Sequence, residues 1–143
     1  MIAGGDGWGT EAVNAAIAAS PNGDRIRRLG WVDDAAALLR GATVLAFCPL
    51  YEGFGLPPLE AMAAGVPVVA TRAGAVPEMC GDAALLVDVA DIDGIAGALS
   101  QVVGDEAVAG ELASAGTRHV ARFDWDVAAG EHAKLYRRLA AAH

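Results

Sequence analysis

Lysine is almost absent from this chain. Lys134 is the only one, and arginine carries the rest of the basic charge. A cofactor held as a Schiff base needs a lysine in a cleft. Lys134 falls in the last helical stretch, so pyridoxal phosphate is expected to have no part in the chemistry. Cysteine is nearly as scarce. Cys48 and Cys80 form no CxxC pair and stand apart from any histidine cluster, so they read as small core residues of a reduced, cytoplasmic protein. His119, His132 and His143 lie in the C-terminal part without ligand spacing and are expected to face solvent. Apolar residues make up 55% of the 143, yet no run approaches the roughly 20 needed to cross a bilayer. No basic segment leads an apolar one at the N-terminus, as a secretory signal would require. A net charge of −8 argues against a nucleic-acid surface. The length suits one compact α/β domain with a real core.

What the chain does have is concentrated between Phe47 and Thr71. An apolar run before Pro49 reads as a buried strand ending near Cys48, and Val66 to Val69 reads as a second. Between them, Pro57 and Pro58 suit the first turn of a short helix, which Gly65 stops. Glu52 lies on the loop leaving the first strand, and Glu60 about one turn into the helix. Gly53, Gly55 and the prolines forbid a continuous helix between them, so both acids are expected to approach the helix N-terminus from different sides. A helix N-terminus offers unpaired N–H groups and partial positive charge, which suit a phosphate. A phosphate site flanked by two hydroxyl-seeking carboxylates has the chemistry to hold a nucleotide sugar.

The segment Glu52-Gly-Phe-Gly-Leu-Pro-Pro-Leu-Glu60, followed by Ala61-Met62-Ala63-Ala64-Gly65-Val66-Pro67-Val68-Val69-Ala70, closely resembles the donor-binding signature of the retaining glycosyltransferases of family 4, the group 1 glycosyltransferases. That signature is two glutamates separated by seven residues, and glycines, prolines, acids and strand all fall in place. The resemblance implies the GT-B architecture, two Rossmann-like domains facing a cleft, of which this chain would be the C-terminal, donor-binding half. It implies that Glu60 holds the ribose hydroxyls and that Glu52, the catalytic residue, contacts the donor sugar near its reacting carbon. It further implies that the backbone N–H groups of Gly53, Phe54, Gly55 and Leu56 bind sugar and diphosphate. The donor would be a nucleotide sugar such as GDP-mannose or UDP-glucose, with no metal and no pyridoxal phosphate.

The remaining segments are consistent with that resemblance. Met1 to Gly9 looks like a strand end running into a glycine loop, but a GxGxxG fingerprint fails because its third glycine position is Thr10. The start instead resembles the second strand of a donor-binding domain. The family's preceding strand and helix, its diphosphate-binding arginine and lysine, and its whole acceptor-binding domain are then expected to be missing, leaving the chain alone inactive. Any peripheral membrane association would come through that missing domain. Thr10 to Ser20 has helical spacing and Arg25 to Leu29 reads as a strand. In open α/β sheets ligands bind at strand C-termini, and the resemblance puts Trp31, Val32 and Asp34 beside the nucleobase. Asp33 or Asp34 equally suits an N-cap for a helix over 35–40. Arg72, leaving the next strand, is either an edge of the cleft or a solvated arginine. After a strand at 84–87, helices are expected from Asp91 to about Val103, over 105–122 and over 125–141. The segment 124–143 would cross onto the missing domain, presenting Val127, Ala128, Leu135, Tyr136 and Leu139.

Two further patterns point elsewhere. Asp91-Ile92-Asp93 and Asp124-Trp125-Asp126 spell DxD, a metal-binding pattern of another glycosyltransferase architecture. Each sits where a helix begins, so Asp91 and Asp124 are read as N-caps. Glycogen phosphorylase-like chemistry shares the GT-B architecture but needs the cleft lysine that this chain lacks. A non-enzymatic nucleotide-sugar-binding or interaction module remains the alternative to a transferase.

Overall fold

The computed structural model describes residues 1–7 and 9–142. Trp8 in the opening loop and His143, one of the three histidines weighed as ligands, lie outside the described residues. The chain divides into two compact units, Met1–Ala35 and Ala36–His143.

The first unit holds β1 (Ile2–Ala3), α1 (Thr10–Ala19) and β2 (Arg28–Gly30). The two strands pair in parallel, Ile2 opposite Arg28 and Ala3 opposite Gly30. The strand expected from Arg25 begins three residues later. Residues Gly23–Arg25 wind instead into a 3-10 turn, in which Arg25 N–H donates to the Asn22 carbonyl at 3.0 Å and Ile26 N–H to that of Gly23 at 3.1 Å. Arg28 ties the unit together, forming an ion pair with Asp6 of the glycine loop and donating to Asn14 Oδ1 of α1 at 2.6 Å.

The second unit begins within α2 (Ala35–Arg40) and continues through β3 (Leu45–Phe47), α3 (Leu56–Ala63), β4 (Val68–Thr71), α4 (Val76–Cys80) and β5 (Leu85–Val87). Three longer helices follow: α5 (Ile92–Gly104), α6 (Glu106–Val120) and α7 (Trp125–Ala141). The sheet is parallel with order β3-β4-β5. Parallel strands need helical crossovers that cover both faces, so the central strand must be apolar throughout. Accordingly Val68, Val69, Ala70 and Thr71 are all 1% exposed or less. This strand runs two residues later than the expected Val66–Val69. Val66 N–H is still bonded to the Ala61 carbonyl of α3 at 2.9 Å, and Pro67 has no N–H for a ladder. The first strand is less buried than expected. Only Leu45 to Phe47 are paired, β3 stands at one end of this sheet, and Cys48 just beyond it is exposed rather than part of the core.

Against the sheet pack Leu39, Leu59, Met62, Val76, Met79 and Cys80. Helix α6 crosses close to α3 because Gly116 has no side chain. A Cβ there would lie 2.9 Å from Met62 Cγ. The aspartates expected as caps are caps: Asp91 accepts from Gly94 N–H at 2.9 Å, and Asp124 from Asp126 N–H at 2.6 Å. Asp105 caps α6 in the same way, from Ala107 and Val108. On α7, Val127, Leu135, Tyr136 and Leu139 are all exposed. No helix among the described residues is long and apolar enough to cross a membrane.

The contact between α3 and α6 makes a coupled pair. Gly116→Ala should destabilise the protein by roughly 1–3 kcal/mol through overpacking, less the ~1 kcal/mol that alanine gains over glycine in a helix. In a Met62→Ala background, where Cγ is gone, the same substitution should cost less. Urea unfolding of the four-member cycle should therefore give a coupling of at least ~0.5 kcal/mol.

Candidate functional site

The loop between β3 and α3 is fixed from below. Thr71, the last residue of β4, donates its hydroxyl to the Pro49 carbonyl at 2.8 Å, and Ala75 N–H donates to the Glu52 carbonyl at 3.0 Å. One anchor is the last residue of the buried central strand and the other, half-buried, lies four residues on, so the loop is tied to the sheet and to the segment that leaves it. The Glu52 side chain then folds back on its own loop. Its Oε1 accepts from Gly53 N–H at 3.0 Å and Phe54 N–H at 3.1 Å. Gly55 ends the loop in a left-handed conformation (φ 101°) and stands at the N-cap of α3 without a side-chain cap.

The donor-binding residues expected from the sequence, Glu52, Gly53, Phe54, Gly55, Leu56 and Glu60, are thus brought together on one loop and the helix it feeds. The helix end differs from the expectation in one respect. Of the four N–H groups a helix leaves unpaired at its start, Pro57 and Pro58 remove two. Gly55 and Leu56 are left as the donors. Glu60 lies one turn in and is exposed, and no other described residue donates to its carboxylate.

The other expected residues fall as follows. Trp31, Val32 and Asp34 follow the C-terminal end of β2 in the first unit. Trp31 is 81% exposed, and its indole N–H donates to Asp33 Oδ1 at 3.1 Å. Arg72 lies across the end of β5, its Nη2 donating to the Leu86 carbonyl at 3.1 Å and its Nε 3.6 Å from Asp88 Oδ1. Lys134 is on α7, paired at the surface with Glu131.

His119 is a correction. Expected to face solvent, it is half-buried, with Nε2 2.7 Å from the Met79 carbonyl and Nδ1 2.9 Å from Arg122 Nη2. A carbonyl only accepts and a guanidinium only donates, so Nε2 carries the proton and Nδ1 is bare. Its role is to fasten α6 to α4. The spacing of 40 residues to Met79 left no local pattern from which to foresee it. Thr71, Gly74 and Ala75 join the loop through partners more than twenty residues away, so no local pattern marks them.

Two open grooves lie elsewhere in the second unit. The larger, of about 920 Å³, is lined by Asp82, Gln101, Glu106, Glu111 and Arg118 among others, and the smaller by Gly81, Arg118, His119 and Arg122. Neither includes a residue of the loop. The basic residues in the smaller one are explained by their place at the C-terminal end of α6, where the helix dipole favours cations.

The two thiols differ in a way that can be measured. Burial pushes both thiols up, Cys80 to about 11, so at pH 8 Cys80 is protonated as well as inaccessible. Cys48, exposed immediately before Pro49, should react first with iodoacetamide at pH 8. Mass spectrometry should find one adduct, at Cys48, on the folded chain and two after denaturation.

The model of the family described as "Glycosyl transferases group 1" matches residues 1–105. The chain is 31% identical over 141 residues to O-antigen chain mannosyltransferase B of Escherichia coli, covering 97% of this chain and 37% of that protein. It is 38% identical over 113 residues to the MMP alpha-(1->4)-mannosyltransferase of Mycolicibacterium hassiacum, covering 76% of this chain and 28% of that protein. Among solved structures, sucrose-phosphate synthase from Thermosynechococcus elongatus superposes with a TM-score of 0.83 at 31% identity, covering 98% of this chain and 38% of that one. Anabaena HepE in complex with UDP superposes with a TM-score of 0.87 at 22% identity, covering 95% and 40%, a likeness of fold. The chain therefore spans only 37% and 28% of the length of these two curated relatives.

Proposed function

The chain belongs to the group 1 glycosyl transferases, and from that premise we propose that it is the donor-binding part of a retaining family 4 hexosyltransferase. The bond broken would join the anomeric carbon to the diphosphate oxygen. An acceptor hydroxyl oxygen would form its bond on the same face, and its proton would leave with the nucleoside diphosphate. The observation that carries this reading is the anchored loop, which holds Glu52 and the Gly53, Phe54, Gly55 and Leu56 amides at the head of the helix bearing Glu60. Glu60, one turn in and exposed, suits a pair of ribose hydroxyls. Glu52, on the loop, suits the sugar. Trp31, Val32 and Asp34 are proposed for the nucleobase side and Arg72 for the cleft edge.

Relatives above 30% identity include mannosyltransferases by name and, at similar identity, D-inositol 3-phosphate glycosyltransferases, so GDP-mannose and UDP-glucose both stand as proposed donors. The acceptor would be held by a second domain, onto which the exposed apolar residues of α7 would pack. The free thiols Cys48 and Cys80 agree with work in the cytoplasm.

The test separates the two glutamates. Loss of a hydrogen bond to an ionised carboxylate costs about 1.5–3 kcal/mol, or about ten- to a hundredfold in affinity. Glu60→Ala should weaken nucleoside diphosphate and nucleotide sugar alike, whereas Glu52→Ala should weaken only the nucleotide sugar. Calorimetric titration of both ligands checks this, and equal losses for Glu52→Ala would remove it from the sugar.

The transfer is also proposed to need no metal. The first aspartate of each DxD sequence, Asp91 and Asp124, is engaged as a helix cap. Donor affinity should be the same in EDTA and in manganese, and Asp91→Asn or Asp124→Asn should lower thermal stability slightly without changing it. A metal-dependent rise in affinity abolished by either mutation would overturn this.

A further inference from the structure

Glu52 does not hold its own place. Among the described residues its carboxylate accepts hydrogen bonds from the two amides that follow it, at 3.0 and 3.1 Å, and its loop, from Pro49 to Gly55, contains three glycine or proline residues. Such a segment has many accessible conformations, and two short bonds within it would not choose among them. What does choose is the chain leaving β4. Thr71 is 1% exposed and is the buried polar side chain among the described core residues; its hydroxyl is spent on the Pro49 carbonyl at 2.8 Å. Three residues on, Gly74 (φ 53°) passes so close to Glu52 that a Cβ would collide with the Glu52 carbonyl oxygen and lie 3.1 Å from its backbone nitrogen. That approach is what lets Ala75 N–H reach the same carbonyl at 3.0 Å.

We propose that Thr71 and Gly74 are positioning residues for Glu52, acting on the loop from beneath and through the backbone. Thr71 fixes where the loop starts, and Gly74 fixes the peptide plane of Glu52, which aims the carboxylate at the Gly53 and Phe54 amides. The consequence for donor binding rests on the role proposed above for Glu52; the positioning itself does not.

The test therefore has a ligand-free arm. Amide hydrogen exchange at Gly53, Phe54 and Ala75 is measured in the parent chain and in Thr71→Val, Thr71→Ser, Gly74→Ala and Glu52→Ala. Thr71→Val keeps the shape of the side chain and removes its donor. It should speed exchange at these three amides by about two- to tenfold, the worth of one ordinary hydrogen bond, while the Val69 amide changes no more than global stability requires. Thr71→Ser, which restores the donor, should restore the parent rates. Gly74→Ala should act at the same three amides, and Glu52→Ala at Gly53 and Phe54 only. In the ligand arm, Thr71→Val should weaken nucleotide sugar more than nucleoside diphosphate, as Glu52→Ala does. If Thr71→Val lowers the melting temperature but leaves these amides no more exposed than the rest of the sheet, Thr71 is a core residue and the proposal fails. If the amides respond but neither Glu52→Ala nor Thr71→Val discriminates between the ligands, the positioning stands and the sugar-binding role of Glu52 falls.

Discussion

Burial of β4 on both faces is the constraint on which the second unit depends. Four consecutive residues with no more than 1% of their surface exposed leave that strand no freedom to shift or turn. In a parallel sheet the strand to either side is then placed in register by it, Leu45 against Val68 and Val69 against Leu85. Loops that begin at the strand's C-terminal end inherit that rigidity. The Thr71 hydroxyl passes it to Pro49, and the Ala75 amide passes it to Glu52. A polar side chain at the end of an apolar strand would be costly if unpaired, and here its partner is the loop that carries the candidate chemistry.

Much of this was legible from sequence because the signals were local. Helix α7 begins and ends where the spacing and the Asp124 cap put it, and α5 follows its Asp91 cap. Glu52 and Glu60 fall on loop and helix as the glycines and prolines between them require. The misses share a cause as well. Gly23–Arg25 became a 3-10 turn and β4 slid two residues because the hydrogen bonds of the preceding turn and helix ran on further than the apolar pattern suggests. His119 and Thr71 were missed because their partners, Met79 and Pro49, are distant in sequence, and one histidine or threonine has no period to read. Cys48 was assigned to the core from residue type alone, although it lies one position past the last paired residue of β3.

Helix α3 shows how a rule can hold in kind and fail in amount. Prolines in a first turn are favourable because the amides they lack would have had no partner there. By the same token they take away half of the donors that make a helix N-terminus attractive to an anion. At α3 the donors left at the helix start are those of Gly55 and Leu56. Proline suits the helix while thinning the donors at its end.

The carboxylate of Glu52 accepts from the Gly53 and Phe54 amides of its own loop. The side chain thereby closes a ring on its own backbone, so the direction of the two N–H groups is set by the residue that precedes them. A loop bonded to itself in this way keeps those amides aligned by its own means, and any change of the Glu52 rotamer changes what they face.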